Sequence, residues 1–255
     1  MQGNRKIRRF VDAMARQIAL GLLLLVFISL LSGCMYRGEQ HAGPVSYMDS
    51  VDRIQRALDR FQEQEGILPI ITAGPETPRY EKYRIDLDRL KRMGYLDEIP
   101  SAAFEKGGNV YFLVINEEVD PAVKVMDLPT MQKVNDVQRS VNAYRSSYSG
   151  KLPGAEAGET YPGLYTVDLS LIGAEGDEPV SVYSGETLPY IMDSQGTVYV
   201  DYAFDIMQII DKTQAAPERE EDLRTRLTDN AYFVPVKSLP YRFIAGAPVP
   251  VVDSE

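Results

Sequence analysis

The sequence has one histidine, one cysteine and no tryptophan among its 255 residues. A Cys/His zinc site or a disulfide within the chain needs more of these residues. Basic residues are also scarce, since 27 Lys and Arg stand against 37 Asp and Glu, for a net charge of −10. This charge argues against a general nucleic-acid binder, which needs a basic face for phosphates. The apolar and charged contents are those of an ordinary globular protein.

The first 33 residues have the pattern of a lipoprotein signal peptide. Five basic residues lie within the first 16, and the mostly apolar run Ile18–Leu31 follows. The run is shorter than the roughly 20 residues of a membrane-spanning helix, and its flanks are typical of a secretory signal. It ends in the tetrapeptide Leu-Ser-Gly-Cys, which resembles a bacterial lipobox. We therefore predict that residues 1–33 are removed and that Cys34 carries the lipid, with palmitate-type acyl chains, at the extracytoplasmic face of the cell membrane.

The mature chain would be strongly acidic. Residues 1–33 hold five basic residues and one acidic residue, so their removal leaves 22 basic and 36 acidic residues and a net charge of −14. Anionic lipid headgroups repel such a surface, so the lipid on Cys34 would have to hold the protein to the membrane. Residues 34–46 contain two glycines and a proline and indicate a tether. His41 lies in this tether, where we expect it to be solvated.

The rest of the chain contains an internal repeat. One apolar stripe runs over residues 51–61, and the same spacing recurs over residues 134–144. This pattern predicts two amphipathic helices. Ser46, together with Asp49, is expected to cap the first helix, and Thr130 the second.

Further motifs align between the two halves, and a β-hairpin pattern follows each set. Chance similarity of two helices would not reproduce these motifs, so they indicate a duplication of the whole unit. The aligned pairs are Gln55-Arg56 with Gln138-Arg139, Leu68-Pro69 with Leu152-Pro153, and Tyr83–Leu87 with Tyr165–Leu169.

These patterns predict an α+β protein with a tandem duplicated unit of one long helix plus a small antiparallel sheet. The first unit is predicted to span residues 47–129 and the second residues 130–203. Residues 204–255 would form a C-terminal extension, with helices over residues 204–212 and 218–229. Proline-rich extended segments follow these helices and would suit an edge or a wrapped tail rather than a central strand.

Several short motifs resemble a family of lipoproteins from spore-forming Gram-positive bacteria, the YphF-like proteins. The resemblance implies a location at the outer leaflet of the membrane. It implies no established activity, although members are sometimes labelled as transporter-binding proteins. The motifs are Ser32–Cys34, Gly66–Pro69, Thr77-Pro78, Tyr199–Tyr202, Phe233–Pro235 and Leu239–Tyr241.

The repeat unit is loosely similar to the heads of pseudopilins and minor pilins. The likeness rests on a helix that ends in Gly-x-Leu-Pro and is followed by a short segment and a small antiparallel sheet. In a pilin the apolar N-terminal helix continues directly into the head, whereas a lipobox and a tether intervene here. The resemblance therefore implies only the α+β architecture.

Carboxylates are the abundant side chains with catalytic chemistry. Glu76 and Glu159 occupy equivalent loops of the two units. Two carboxylates that face each other across a cleft would suit a glycosidase. We expect instead that both glutamates are solvated loop residues. Asp86 and Asp168 precede equivalent leucines and are expected to cap short helices. The segment 173–178 has oxygen ligands for Ca²⁺ but not the Asp spacing of an EF-hand, so we expect a solvated turn.

Tyrosines and one basic cluster offer binding chemistry. Tyr111, Tyr190 and Tyr199 could stack on sugars, but they lie in predicted strands, where packing in the core is the default. The basic cluster consists of Lys82, Arg84, Arg89, Lys91 and Arg92. It would suit an acidic partner or a wall polymer, although the interleaved Asp86 and Asp88 favour a salt-bridged face.

Together these observations predict a membrane-anchored extracytoplasmic lipoprotein with a non-enzymatic binding or scaffolding role at the cell envelope. The sequence has no Walker loop, Gly-rich dinucleotide loop, Gly-x-Ser-x-Gly elbow or His-Glu-x-x-His motif, and we expect no cofactor, metal or nucleic acid. The partner would be a protein or a cell-wall component. Two alternatives stay open: a solute-binding lipoprotein of an ABC transporter, and a carboxylate-based cell-wall hydrolase that uses Glu76 and Glu159.

Overall fold

The computed structural model of the chain describes residues 44–252. The predicted signal peptide, Cys34 and His41 lie outside the described residues. Within the described range, no helix is both long and apolar enough to cross a membrane.

The first unit is a long helix packed against a four-stranded antiparallel sheet. Four apolar residues form the buried stripe of the helix and are each at most 5% exposed, as the spacing predicts: Val51, Ile54, Leu58 and Phe61. The helix packs on the last strand of the sheet, whose strands run in the order β1-β2-β3-β4. The elements are α1 (Pro44–Glu65), β1 (Ile70–Thr72), β2 (Tyr83–Ile85), α2 (Leu87–Arg92), β3 (Val110–Ile115) and β4 (Ala122–Asp127).

The second unit repeats this arrangement with a three-stranded sheet in the order β5-β6-β7. Its helix again packs on the last strand of its sheet and buries Val134, Val137 and Val141. Both predicted hairpins are confirmed, since β3 pairs with β4 and β6 pairs with β7, each antiparallel. The elements are α3 (Leu128–Ser147), β5 (Leu164–Thr166), β6 (Tyr190–Asp193) and β7 (Val198–Val200).

The C-terminal extension is a shortened form of the same plan, because its first helix packs on the last strand of a hairpin. The helix predicted over residues 204–212 is confirmed, whereas the one predicted over 218–229 begins only at Arg224. At this later start the carboxylate of Asp222 accepts the amide of Arg224 at 3.2 Å, which satisfies one of the free donors of the first turn. The elements are α4 (Ala203–Thr213), α5 (Arg224–Asn230), β8 (Tyr241–Ile244) and β9 (Ala247–Pro250).

Both long helices start earlier than their predicted caps. Helix α1 begins at Pro44, a residue type that suits the first turn, so Ser46 lies inside the helix and is not its cap. Residues 44–46, predicted to belong to the tether, are therefore helical. Helix α3 is capped by Asp127, whose Oδ2 accepts the amide of Thr130 at 2.9 Å, so Thr130 is not the cap either.

The extended segment 231–237 joins the two sheets. Val234 donates its amide to the carbonyl of Val125 in β4 at 3.0 Å, which adds the segment to that edge of the first sheet. Three residues on, the carbonyl of Lys237 accepts the amide of Val200 in β7 at 2.8 Å. One extended segment thus covers the last strand of the first sheet and contacts the last strand of the second.

Candidate functional site

The two motifs that define the repeat meet in space in both units. The amide of Asp86 donates to the carbonyl of Pro69 at 2.7 Å, and the amide of Asp168 donates to that of Pro153 at 3.1 Å. Each Asp carboxylate then accepts a backbone amide of the short helix that follows, as predicted for a cap. Hydrogen bonding from Ser170 lowers the pKa of Asp168, which fits a carboxylate that stays ionised as a cap.

After the Leu-Pro motif the two units diverge, and this divergence leaves their outer sheet edges different. In the second unit the chain turns at Gly154, with φ of +107°, into a short 3₁₀ helix. The loop that follows folds back on β5, where the carbonyl of Leu164 accepts the amide of Thr160 at 2.8 Å. In the first unit the chain continues as β1, which forms the edge of its sheet.

Four exposed or half-buried side chains lie next to one another beside β1 and form a surface that we call the aromatic ledge: Ile71, Arg84, Tyr111 and Phe104. Ile71 lies directly opposite Arg84 in the pairing of β1 with β2. The Arg84 guanidinium lies 4.6 Å from the centre of the Tyr111 ring, and Phe104 packs on that ring with 4.9 Å between centroids. Ile71 is 46% exposed and Phe104 is 53% exposed. The ledge therefore presents apolar, aromatic and cationic groups together.

The basic cluster is not the salt-bridged face that the interleaved acids favoured. The carboxylate of Asp86 accepts the backbone amide of Arg89 at 2.8 Å and pairs with no cation among the described residues. The Arg89 guanidinium instead lies 4.9 Å from the Phe61 ring centre. Over the described range, no cation of the cluster forms an ion pair. The positive charge of the cluster is therefore not neutralised by ion pairs within the described residues.

An open groove of about 590 Å³ lies close to the ledge and shares one cation of the basic cluster, Lys82. Arg79 crosses it and donates to Oδ1 of Asn116 at 3.2 Å. The groove carries both signs of charge, because the acidic turn between β3 and β4 forms one wall. Its lining residues are Thr77, Arg79, Lys82, Tyr83 and residues 116–120.

The residues considered as carboxylate catalysts or calcium ligands are exposed or form hydrogen bonds within the fold. Glu76 and Glu159 are both exposed, and Glu159 accepts the amide of Gly163 at 3.1 Å within its own loop. In the segment 173–178, the carbonyl of Asp177 accepts the Tyr190 hydroxyl at 2.9 Å. Among the described residues, no group of His, Cys, Asp or Glu is arranged to hold a metal ion.

The three tyrosine candidates separate into core and surface. Tyr190 is 2% exposed and lies in the core of the second unit, and burial raises the pKa of its hydroxyl. Tyr199 is partly buried and donates to Asp193 in the hairpin turn at 3.2 Å. Core or half-buried packing is therefore confirmed for both. Tyr111 is half-buried and is the one that contributes to the exposed ledge.

A buried carboxyl group gave no signal in the sequence. Asp205 is 1% exposed, and its Oδ2 accepts the hydroxyl of Ser181 at 2.7 Å, whereas its Oδ1 has no partner among the described residues. Burial raises the pKa of Asp205, and the hydrogen bond from Ser181 opposes that effect. Since Ser181 is also buried, the pair is an internal contact rather than a site that a substrate reaches. The two residues lie 24 positions apart, so only the fold brings them together.

The fold and this surface define a class: an α+β protein made of repeated helix-and-hairpin units, with an exposed aromatic and cationic surface on the first. Residues 47–127 match the model of the YphF family N-terminal domain. The match ends at the last residue of β4 and so corresponds to the first unit. It supports the predicted relation to a YphF-like family. No curated protein and no solved structure matches the chain.

Proposed function

We propose that this chain is a lipoprotein anchored through Cys34 at the extracytoplasmic face of the cell membrane, with a non-enzymatic binding or scaffolding role at the envelope. The anchor is supported by the order of basic, apolar and lipobox residues before Cys34. The nine residues between Cys34 and Pro44 would reach at most about 30 Å. The repeat units would therefore stay close to the membrane surface.

The exposed aromatic ledge is the observation that supports a binding role. Contiguous exposed apolar groups on a soluble surface commonly mark an interaction site. Here Phe104 and Ile71 flank a guanidinium that lies on a tyrosine ring and has no carboxylate partner among the described residues. On a mature chain with a net charge of −14, such cations favour an acidic protein or wall polymer as the partner.

Membrane fractionation of cells that express the full chain tests the anchor. We expect Cys34→Ala to move the protein out of the membrane fraction and to abolish incorporation of an alkyne-labelled palmitate. His41→Ala, in the same predicted tether, is the matched control and should behave like the wild type. If Cys34→Ala stays in the membrane fraction, the anchor proposal is wrong.

Thermal unfolding of the detergent-solubilised lipoprotein with wall fragments, acidic peptides and small solutes tests the binding role. A ligand at 100 times its Kd stabilises by about 2.7 kcal/mol, which is readily measured. We expect Phe104→Ala to abolish the shift, whereas Leu171→Ala, which removes a similarly exposed apolar group from the second unit, keeps it. A shift from a small solute that is insensitive to Phe104→Ala would favour the transporter-binding alternative. Wall hydrolysis that is lost in Glu76→Gln or Glu159→Gln would favour the hydrolase.

A further inference from the structure

We propose that the open edge at β1 binds an extended acidic peptide segment, which adds to the first sheet as a fifth strand. This inference rests on the proposed binding role and identifies its partner class. Peptides commonly bind this way, because main-chain hydrogen bonds supply affinity and alternate side chains supply selectivity.

The edges at β4, β5 and β9 are covered or carry prolines, and on the edge at β8 the carbonyl of Tyr241 accepts the amide of Leu223 at 3.0 Å. The segment 231–237 adds to β4, and its last residue bonds to β7. The edge at β5 is closed by its own loop through Thr160 and Tyr161. Strand β9 carries two prolines, which remove donors from an edge. Strand β1 has neither a cover nor a proline or charged residue of its own.

The register of β1 shows which of its backbone groups face outward. Asp86 bonds to Pro69 and Ala73 bonds to Lys82, so the residue midway, Ile71, also exchanges hydrogen bonds with β2. Because hydrogen-bonded and non-hydrogen-bonded pairs alternate along an antiparallel ladder, the amide and the carbonyl of Ile70 point away from β2. No described residue bonds to them. An added strand would pair with these groups.

The charges beside the edge favour an acidic occupant. Arg84 and Lys82 lie in or next to β2, and neither forms an ion pair within the described range. Of the acids near the edge, Glu81 is held by Lys237, with 3.1 Å between Nζ and Oε2, and Glu76 lies beside Gly74, beyond the end of β1. A second copy of the chain paired through β1 would bring the same cations together, which is repulsive. An extended segment with acidic side chains would instead be attracted.

The apolar side chains at the edge supply the remaining contacts. Ile67 is 51% exposed just before β1, and Ile71 is 46% exposed within it. A bound strand that alternates acidic and β-branched residues would place its apolar face against these side chains and keep its carboxylates near the basic cluster. The partner is therefore an extended, acidic segment with β-branched residues.

Two synthetic peptides test the proposal against the full lipoprotein in detergent. Each has about ten residues, one alternating valine with glutamate and the other valine with lysine, long enough to cover an edge strand. Fluorescence anisotropy measures binding, and amide hydrogen exchange at Ile70 reports whether the edge becomes paired. We expect the glutamate peptide to bind and to slow exchange at Ile70, and the lysine peptide to do neither.

Variants at the edge separate strand addition from simple charge attraction. Ile70→Pro removes the outward donor but not the inward bonds of Ile71, and we expect roughly tenfold weaker binding, whereas Ile70→Val should bind like the wild type. Lys82→Glu should weaken binding, and Lys151→Glu, an equal charge change in the second unit, should not. Ile70→Pro could also lower the thermal stability of the protein. In that case two measurements test strand addition without it: amide hydrogen exchange at Ile70 in the wild type, and peptide binding by Lys82→Glu.

Three results would overturn the edge proposal. They are equal binding of both peptides, glutamate-peptide binding that leaves exchange at Ile70 unchanged, and dimerisation of the chain that is abolished by Ile70→Pro. The last would make a second copy the occupant. Binding of wall fragments that depends on Phe104, without binding of the glutamate peptide, would reject the edge but keep the proposed function. A chain that remains in membranes after Cys34→Ala would reject the proposed anchor whatever the peptides do.

Discussion

Gln55 and Gln138 hold the two long helices to their sheets by the same hydrogen bonds. Oε1 of Gln55 accepts the amide of Val123 in β4 at 2.7 Å. Oε1 of Gln138 accepts the amide of Val198 in β7 at 2.8 Å. In both units the bonded amide belongs to the last strand of the sheet, so each glutamine fixes its helix against the same part of its hairpin.

The amide nitrogens of the two glutamines complete the correspondence. Nε2 of Gln55 donates to the carbonyl of Pro121 at 3.0 Å, and Nε2 of Gln138 donates to that of Gly196 at 2.8 Å. Both carbonyls lie two residues before the bonded amide, at the exit of the hairpin turn. The duplicated feature is therefore a helix bonded to a hairpin through one side chain.

Replacing either glutamine by alanine should destabilise the protein by about 1–3 kcal/mol, because a partly buried amide and carbonyl lose their partner. Urea-induced unfolding of Gln55→Ala and Gln138→Ala would measure this loss. Gln132→Ala removes an exposed bond to Asp136 on the same helix as Gln138 and should stay within about 0.5 kcal/mol of the wild type. If all three variants unfold alike, the shared bonds do not stabilise the units.

The duplication could be predicted from the sequence because the motifs that repeat are short and local. Helical spacing, the Leu-Pro motif and the Asp-Leu motif each report a backbone feature that neighbouring residues determine. That the Pro69 carbonyl meets the Asp86 amide could not be predicted, because this bond depends on how β1 pairs with β2. The role of Gln55 was hidden for the same reason, since its partner lies 68 residues away.

The aromatic ledge and the open edge escaped prediction for two physical reasons. Tyr111 and Arg84 were recognised separately, as a strand residue and as part of a basic cluster, but only the register of β2 on β3 brings the guanidinium onto the ring. The cover of β4 comes from the segment 231–237, whose own sequence does not indicate the strand with which it pairs. Which edge stays open therefore depends on long-range pairing.

Gly154 is the position at which the second unit closes its edge, and it should tolerate no side chain. A Cβ there would lie 2.3 Å from the carbonyl oxygen of Thr166, at a φ of +107°. Gly158→Ala is a matched control, since its φ is +94° but open space surrounds the added carbon. We expect a loss of about 1–3 kcal/mol for Gly158→Ala from its backbone conformation, with φ of 94° and ψ of 176°, and a larger loss for Gly154→Ala, which adds the steric clash. Equal losses by thermal unfolding would contradict a steric role for Thr166.

The ion pair between Glu81 and Lys237 should contribute to holding the C-terminal segment on the first unit. Glu81 accepts both the backbone amide of Lys237 and its ammonium group, each at 3.1 Å. We expect Glu81→Ala to cost about 1.5–3 kcal/mol, because it removes a charged acceptor from two donors. Glu81→Gln keeps one acceptor oxygen and should cost less. Limited proteolysis would show whether cleavage in residues 231–237 accelerates in the same order, and an inverted order would argue against this contact.

The buried carboxyl of Asp205 should make the protein more stable as the pH falls from neutral towards mildly acidic values. Burial raises its pKa in the folded state above the unfolded value, and the nearby Asp201 adds to the rise. Between the two pKa values the folded state binds a proton that the unfolded state does not, so the free energy of unfolding decreases as the pH rises through this window. Each unit of pKa difference corresponds to about 1.4 kcal/mol.

Asp205→Asn tests this effect, because the amide cannot ionise. Urea-induced unfolding at a series of pH values should show that the variant is more stable than the wild type at neutral pH, and that this difference in stability shrinks as the pH falls. Carboxylates such as Asp222 are common to both proteins, so their titration cancels in the difference. Asp211→Asn removes the same charge from an exposed position on α4. This control therefore separates the effect of burying the carboxyl group from the effect of net charge on stability. A difference between wild type and Asp205→Asn that stays constant with pH would show that Asp205 keeps an ordinary pKa in the fold, and its lone unpartnered oxygen would then have to be solvated.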